Sequence, residues 1–201
     1  MDMSPLYSYY SDHTPTLMGE RGGSAVLVPL VRQNGEYCLL YELRSATVRQ
    51  PGEICFPGGK RERGESAVQC ALRETWEELH IPEDAVTVIG EMDFLHIRAG
   101  SLLRPVLGEI DPAALADMRP APEEVADTFL LPLRVLKSHT PEVYVHQQAI
   151  DIPDFPYADV GISPDYPWRP CRVEVPVFRG LPCRLWGITA QITMDVLDKL
   201  K

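Results

Sequence analysis

Short runs of strand-forming apolar residues dominate the chain, and a turn signal joins the first two. Residues 25–31 and 37–43 flank Asn34-Gly35, a dipeptide typical of a two-residue β-hairpin turn. A further short strand is predicted over residues 54–56, ending at Pro57-Gly58-Gly59. The remaining predicted strands cover residues 86–95, 102–110, 128–135, 143–150 and 172–178.

Two segments instead repeat their apolar residues at helical spacing. The first covers residues 66–79, with Ser66 as a possible N-cap and Pro82 as a barrier to continuation. The second covers residues 186–200 and would close the fold as a C-terminal helix. A short helix is also predicted over residues 112–118. Because strands outnumber helices, the pattern predicts an α+β fold in which helices pack on a sheet.

The length of 201 residues predicts one domain with a core that needs neither disulfides nor a structural metal. Residues 1–22 are an N-terminal extension in this prediction. Residues 151–182, which are rich in proline and aromatics, are expected to form an ordered loop or flap around a strand. This segment contains four aromatic side chains, those of Phe155, Tyr157, Tyr166 and Trp168. They could stack on a ligand, or they could pack against one another or at a dimer contact.

Charge and cysteine usage narrow the class of protein. The chain has 19 Lys and Arg against 29 Asp and Glu, a net charge of −10, which argues against a general binder of nucleic acid or anionic membranes. An anionic substrate would need cations or local arginines to offset the repulsion. The five cysteines are odd in number and widely scattered, and the N-terminus lacks the pattern of a signal peptide. We therefore expect reduced thiols and a cytoplasmic location.

Three glutamates share one side of the helix predicted over residues 66–79. At about 100° per residue, Glu74, Glu77 and Glu78 lie within roughly 100° of one another. Carboxylates gathered in this way repel one another unless cations intervene, and Mg²⁺ or Mn²⁺ would suit such oxygen ligands. The alternative is a solvated acidic face. The residues expected to be buried against the sheet are Val68, Leu72, Thr75, Trp76 and Leu79. On the carboxylate side, small residues would let the glycine turn lie close to the helix: Ala67, Cys70 and Ala71.

The spacing of these residues resembles a known motif. Gly59, Glu65, Arg73 and the three glutamates form the pattern G-x5-E-x7-R-E-x-x-E-E, which is similar to the Nudix box of Nudix hydrolases. That resemblance implies the Nudix fold, a mixed β-sheet sandwiched between helices (α/β/α). The box usually has glycine where His80 stands, so His80 is expected to adopt the left-handed conformation at the helix end.

A longer segment resembles one branch of that family. Residues 40–59, which include Arg44, Arg49 and Phe56-Pro57-Gly58-Gly59, are similar to the signature of coenzyme A diphosphatases. The likeness extends over roughly residues 26–192. It departs in two places, because Glu42 stands where threonine is usual and the spacing from Arg49 to Gly52 is one residue short. The chain ends Asp198-Lys-Leu-Lys201 and not in a peroxisomal SKL sequence.

The resemblance implies metal-dependent hydrolysis of a diphosphate bond in coenzyme A or its thioesters, giving 3′,5′-ADP and 4′-phosphopantetheine. It assigns Glu74, Glu77, Glu78 and the Gly58 carbonyl as ligands of Mg²⁺ or Mn²⁺. One of the glutamates would activate the attacking water, and Glu124 is a weaker candidate. Arg73 would orient Glu74, and Glu65 would hold the loop.

The predicted contacts with substrate are Arg44, Arg49 and Gly59. Both arginines are candidate phosphate ligands, although surface ion pairs with Glu42 or Glu53 are an equal alternative. Cys55 is expected to pack in a strand. The solvated loop charges are Lys60, Arg61 and Arg63, and no catalytic role is expected for the histidines His13, His80, His96, His139 and His146.

Other functions stay open at this point. One is a Nudix pyrophosphatase acting on ADP-ribose, dinucleotides or modified nucleotides. Another, of a different class, is a non-catalytic Nudix-fold regulator that binds a ligand. A homodimer is possible.

Overall fold

A two-residue hairpin begins the main sheet of the computed structural model, which describes residues 3–13, 18, 22–98, 101–148 and 152–200. Strands β1 (Gly23–Gln33) and β2 (Glu36–Arg44) pair in antiparallel fashion. Asn34 and Gly35 between them have φ angles of 51° and 83°. Positive φ at both turn positions is what a type I′ turn requires, so the hairpin prediction is confirmed.

The main sheet is mixed. Its central path runs β3-β2-β1-β7-β5, with β4 beside β1, β6 beside β7 and β8 beside β2. Strands β1 and β7 run parallel, and the other pairings are antiparallel. The remaining strands of this sheet are β3 (Ile54–Cys55), β4 (Gly58–Lys60), β5 (Val86–Glu91), β6 (Leu95–Arg98), β7 (Ser101–Ile110) and β8 (Val125–Pro132).

Helices cover both faces of this sheet. Helix α2 (Ala67–Leu79) packs on one face over a cluster that includes Leu27, Leu40 and Val106. Helix α4 (Gly187–Asp198) packs on the other face over a second cluster that includes Val28 and Leu39. Because successive strand residues point to opposite faces, β1 and β2 supply both cores. The predicted fold class, a mixed sheet between helices, is confirmed.

The N-terminal cap of α2 follows its sequence. The Ser66 side chain accepts a hydrogen bond from the Gln69 amide, and the Gln69 side chain accepts one from the Ser66 amide. This reciprocal capping box satisfies two amides at the helix start. At the other end His80 is left-handed, with φ 56° and ψ 32°, and its ring nitrogen Nδ1 lies 2.8 Å from the Arg119 carbonyl oxygen. Both cap predictions are confirmed.

Some predicted elements differ in the structure. The strand predicted over 86–95 is broken after Glu91, and the strand predicted over 128–135 starts at Val125 and ends at Pro132. Helix α3 (Leu133–Lys137) follows and contacts both β2 and β8. Proline at this boundary suits the first turn of a helix better than the interior of a strand. Helix α1 (Ser4–Tyr10), in the N-terminal extension, was not predicted, and residues 112–116 form a 3-10 turn.

Two further strands form a separate hairpin, β9 (Glu142–Gln148) with β10 (Cys171–Val177). Between them, described from residue 152, turns carry the aromatic cluster in which Phe155 contacts both Tyr157 and Trp168. Tyr166 also contacts Trp168, with ring centroids 5.0 Å apart. These contacts favour the local-packing interpretation of the four aromatics. Among the described residues, no helix has the length and apolar character needed to cross a bilayer.

Candidate active site

The glycine turn lies directly against α2. Phe56 is buried and stacks on Tyr41 with ring centroids 4.8 Å apart, which fixes the start of the turn. The Gly58 amide then donates a 2.8 Å hydrogen bond to Glu78 Oε2, and the Cys70 thiol lies 3.6 Å from the Gly59 carbonyl oxygen. The prediction that small residues let the turn approach the helix is therefore confirmed.

Both glycines are required by close contacts. A Cβ at Gly59 would overlap the carboxylate of Glu74, and a Cβ at Gly58 would overlap the backbone of Ala25. Gly58 and Gly59 lie in β4, paired with β1 between Ser24 and Val26. The predicted turn is thus partly a strand, which holds both residues rigidly beside the helix.

The three glutamates of the helix differ in burial. Glu78 is 6% exposed and the Glu74 side chain 14%, whereas the Glu77 side chain is 54% exposed. The predicted buried face was wrong for Trp76, which is 47% exposed and lies over His80. Glu78 instead lies on the buried side of the helix, where its carboxylate accepts the hydrogen bond from the glycine turn.

Arg73 connects the carboxylates on the outer side of the helix. Its guanidinium lies 2.8 Å from Glu65 and 2.9 Å from both Glu74 and Glu77. It also donates to the Lys60 carbonyl oxygen at 3.2 Å. Glu65 in turn accepts a 2.8 Å hydrogen bond from the Glu62 amide. The contacts expected of Arg73 with Glu74, and of Glu65 with the loop, are both present.

The loop charges after the turn are not all solvated. Lys60 and Arg63 are exposed, but Arg61 is half-buried and donates to the Glu65 carbonyl oxygen at 2.6 and 3.1 Å. The prediction for Arg61 was therefore wrong.

Burial and neighbouring charge shift the acidities in this site. Burial raises the pKa of Glu78 to about 8, and it also raises the pKa of Glu74. The hydrogen bonds from Arg73 lower the pKa of Glu65 to about 2. The negative charge of Glu124 lies near enough to raise the pKa values of both Glu74 and Glu78 further. Negative charge in this pocket is therefore poorly compensated by the chain itself.

One member of this site was not predicted. Glu42 is 1% exposed, and within the described part of the chain its Oε1 atom has no hydrogen-bond partner. Burial raises its pKa well above the ordinary value, and the neighbouring carboxylate of Glu78 raises it further. The signal in the sequence was a glutamate inside a continuous apolar strand, Cys38-Leu-Leu-Tyr-Glu42-Leu43. Burying such a charge costs free energy unless a partner or a bound ligand compensates it.

The two arginines of the upstream signature lie differently. Arg44 is half-buried, its Nη1 atom lies 3.9 Å from Cys55 Sγ, and its Nε atom donates to the Arg49 carbonyl oxygen at 2.8 Å. Cys55 Sγ is also 3.8 Å from Glu42 Oε2, so Arg44 borders the acidic pocket. Arg49 itself is exposed. Cys55 packs as expected, and burial raises the pKa of its thiol to about 12, which leaves the thiol unreactive at neutral pH.

The residues of this pocket have the type of ligand atom that a hard divalent cation prefers. They supply carboxylate oxygens in a largely buried setting, and one buried oxygen, Glu42 Oε1, lacks a partner. A glycine beside Glu74 keeps the space next to that carboxylate free of a side chain. Within the described ranges no group of three acidic, histidine or cysteine side chains already has a metal-binding arrangement. Arg73 instead supplies the positive charge between Glu74 and Glu77.

Comparison with known proteins identifies the class. The NUDIX domain model matches residues 21–149 of this chain, more than half of its length. The chain therefore belongs to the Nudix hydrolase family, whose enzymes use a divalent metal ion and act on nucleotide-like small molecules. A Nudix hydrolase from M. smegmatis, RenU, has a similar fold, with a TM-score of 0.51 and 20% identity over 59% of this chain and 74% of that one.

Similar proteins indicate which branch of the Nudix hydrolase family this chain resembles. The human protein named mitochondrial coenzyme A diphosphatase NUDT8 is 34% identical over 93% of this chain and 73% of its own length. The uncharacterized Nudix hydrolase NudL of Photorhabdus laumondii is 33% identical over 89% of this chain and 84% of its own length. The resemblance to the coenzyme A diphosphatase branch is thus confirmed at the level of sequence.

Proposed function

We propose that this protein hydrolyses the diphosphate bond of coenzyme A or its thioesters, with Mg²⁺ or Mn²⁺ as cofactor. The products would be 3′,5′-ADP and the (acyl-)4′-phosphopantetheine. The observation that carries the proposal is the buried acidic pocket of Glu42, Glu74 and Glu78 closed by a glycine turn, with Arg44 at its border. The similarity to a relative named coenzyme A diphosphatase supports the substrate class.

In this proposal Glu74, Glu77, Glu78 and the Gly58 carbonyl hold the divalent ions. The ions would supply positive charge against the diphosphate and promote ionisation of the attacking water. Glu42, whose Oε1 atom has no partner among the described residues, adds negative charge that favours cations in the same pocket. Arg73 positions Glu74 and Glu77 through its 2.9 Å contacts.

A carboxylate of this set accepts the proton of the attacking water. Glu78 is a candidate for the role because its carboxylate is buried in the pocket and is held by the hydrogen bond from the Gly58 amide. Glu124 is a second candidate, since it lies in the same electrostatic environment. Arg44 and Arg49 would contact substrate phosphates, and Gly59 would let the substrate approach the backbone of the turn.

We also propose that the whole chain is one domain acting in the cytoplasm, and a homodimer stays a prediction. The five cysteines are all free, which suits a reducing compartment. Imaging of the tagged protein in its source cells would test the location, and light scattering the oligomeric state.

The function is tested with a panel of coenzyme A, 3′-dephospho-coenzyme A, ADP-ribose and a dinucleotide, each with Mg²⁺ or Mn²⁺. Chromatography should show 3′,5′-ADP and 4′-phosphopantetheine released from coenzyme A, and chelator should abolish the release. Faster hydrolysis of ADP-ribose or the dinucleotide would contradict the substrate class. Tight binding without turnover at saturating metal would favour the non-catalytic regulator.

A further inference from the structure

A groove of about 370 Å³ begins at the edge of the acidic pocket. Arg44 and Cys55 line its inner end, and the Cys55 thiol lies 3.8 Å from Glu42 on the pocket side. The groove then runs between the β3 edge, β6, the β10 strand and the start of α4. Its volume is within the range of about 300–1,000 Å³ typical of small-molecule sites.

The walls of this groove expose apolar side chains that a ligand could cover. Trp186, Ile188 and Val173 line it and are 44%, 45% and 46% exposed. The wall from α4 is fixed in place, because the Thr189 hydroxyl donates a 2.9 Å hydrogen bond to the Ile54 carbonyl oxygen. Neutral amide side chains of Gln50 and Gln191 add hydrogen-bonding groups to the same lining.

The charge of the groove limits what it can hold. Arg44 is the one arginine or lysine that the described residues place in the lining, and it stands at the inner end with Cys55. Glu53 and Glu174 also line the groove. A phosphate deep in this groove would meet these carboxylates, whereas an uncharged chain with amide groups would not. The groove therefore suits the pantetheine side of the substrate better than the side that carries the 3′-phosphate.

A second cavity, of about 320 Å³, continues from the first. The two share Leu95, Glu174 and Gln191 in their linings. Beyond these residues the second cavity is lined by apolar side chains that include Val143 and Met194, and by three carboxylates, those of Asp93, Asp195 and Asp198. The hairpin of β9 and β10 covers both cavities from one side, since Val143 and Glu174 belong to it.

We infer that the first cavity binds the pantetheine arm of coenzyme A and that the second receives an acyl group carried on its sulfur. The inference rests on the proposed function, since it concerns the part of the substrate that extends from the diphosphate. It gives part of the predicted flap a role, because β10 forms a wall of the arm site.

Product inhibition tests the arm site with two ligands that divide the substrate. Ile188→Ser removes an exposed apolar contact without adding charge. It should raise the inhibition constant of 4′-phosphopantetheine about fivefold and leave that of 3′,5′-ADP within about twofold. Val160→Ser is the matched control, because Val160 is 52% exposed and lies in neither lining. A shift for 3′,5′-ADP instead, or no shift for either product, would overturn the inference.

The acyl cavity is tested by Val143→Ser, with octanoyl-coenzyme A and coenzyme A as paired substrates. The ratio of their KM values should rise about threefold in favour of the unacylated form. An unchanged ratio would remove the acyl part of the inference. If the wild-type protein releases no products from coenzyme A, the proposed function fails, which is a separate result from either outcome above.

Discussion

Two neighbouring residues of β2 show that buried polar side chains have different hydrogen bonding on the two faces of the sheet. Tyr41 points to the α4 face, is fully buried, and shares a 2.9 Å hydrogen bond with the Thr193 hydroxyl. It also stacks between Phe56 and Phe129. Glu42 points to the α2 face, is equally buried, and has one oxygen without a partner among the described residues. One polar group is satisfied within the fold and the other is not.

This difference indicates which face serves stability and which serves chemistry. A buried hydroxyl with a partner costs little and specifies the packing of α4. Buried carboxylates facing one another destabilise the chain unless a cation arrives, so their retention points to a ligand. Four predictions test this contrast, in decreasing order of expected effect.

The largest effect is expected for Glu78→Gln. The amide keeps the shape of the side chain and can still accept the Gly58 hydrogen bond, but it removes a negative charge from the pocket. We expect kcat to fall by about a thousandfold with KM changed far less. Steady-state kinetics on coenzyme A measure this, with the exposed Glu83→Gln as control. A kcat within threefold of wild type would exclude Glu78 from catalysis.

The second prediction concerns the pH dependence of stability in the metal-free protein. The pKa of Glu78 is raised from an ordinary 4.5 to about 8, so the folded state holds a proton that the unfolded state has lost. Stability from this carboxyl is therefore complete below about pH 4.5 and is lost as pH rises to about 8. The free energy of unfolding in urea with chelator should fall by roughly 3 kcal/mol between pH 5 and 8.

Glu42→Gln sharpens that measurement. It removes one of the facing carboxylates, so the variant should be more stable than wild type at pH 8 by about 1–2 kcal/mol and should show a flatter profile. Glu65 does not contribute to the change in the free energy of unfolding between pH 5 and 8. Its lowered pKa contributes stability above its unfolded value, and that contribution is lost only as pH falls toward 2. Equal profiles for variant and wild type would contradict the description of Glu42 as a destabilising charge.

The third prediction is that Gly59→Ala reduces kcat/KM by about thirtyfold, because the added methyl group would push the Glu74 carboxylate aside. Gly90→Ala is the matched control, since a Cβ at Gly90 meets nothing within 4 Å and the residue is not left-handed. Kinetics and thermal unfolding of both variants separate the loss of site geometry from a general loss of stability. Equal activity of the two variants would show that the turn tolerates a side chain.

The smallest effect is expected on the α4 face. Tyr41→Phe removes the hydrogen bond to Thr193 and should lower the free energy of unfolding by about 1 kcal/mol, while kcat stays unchanged. Urea unfolding and steady-state kinetics measure the two quantities. If kcat fell tenfold with no loss of stability, the separation between a structural face and a chemical face would be wrong.

Local features were predictable where a short segment decides its own conformation. Asn34-Gly35 specifies a hairpin turn, Ser66 with Gln69 caps a helix, and His80 can adopt the left-handed position that ends it. The box from Gly59 to Glu78 was also readable, because its spacing alone places acidic residues on one helix after a glycine turn. The contact of Arg73 with Glu77 follows from the same spacing, since residues four apart are neighbours on a helix.

Features that depend on packing were not predictable in the same way. Helical periodicity suggested that Trp76 is buried, yet Glu78 lies on the buried side, where it accepts the Gly58 hydrogen bond, and the indole is exposed. Pro132 ends β8 earlier than its apolar run suggested. Glu42 comes to the site only because β2 pairs with β1, the strand on which α2 packs, so that the two strands share one face of the sheet.

The sequence by itself determined the family, the helix that carries the acidic residues and the turn that precedes it, because these rest on residues close together along the chain. Only the tertiary structure decided which carboxylates are buried, how Glu42 joins them, and where the groove beside Arg44 leads. The physical reason is that burial and electrostatic coupling depend on distances between residues far apart in the chain. Those distances are fixed by the packing of strands and helices and have no local signature.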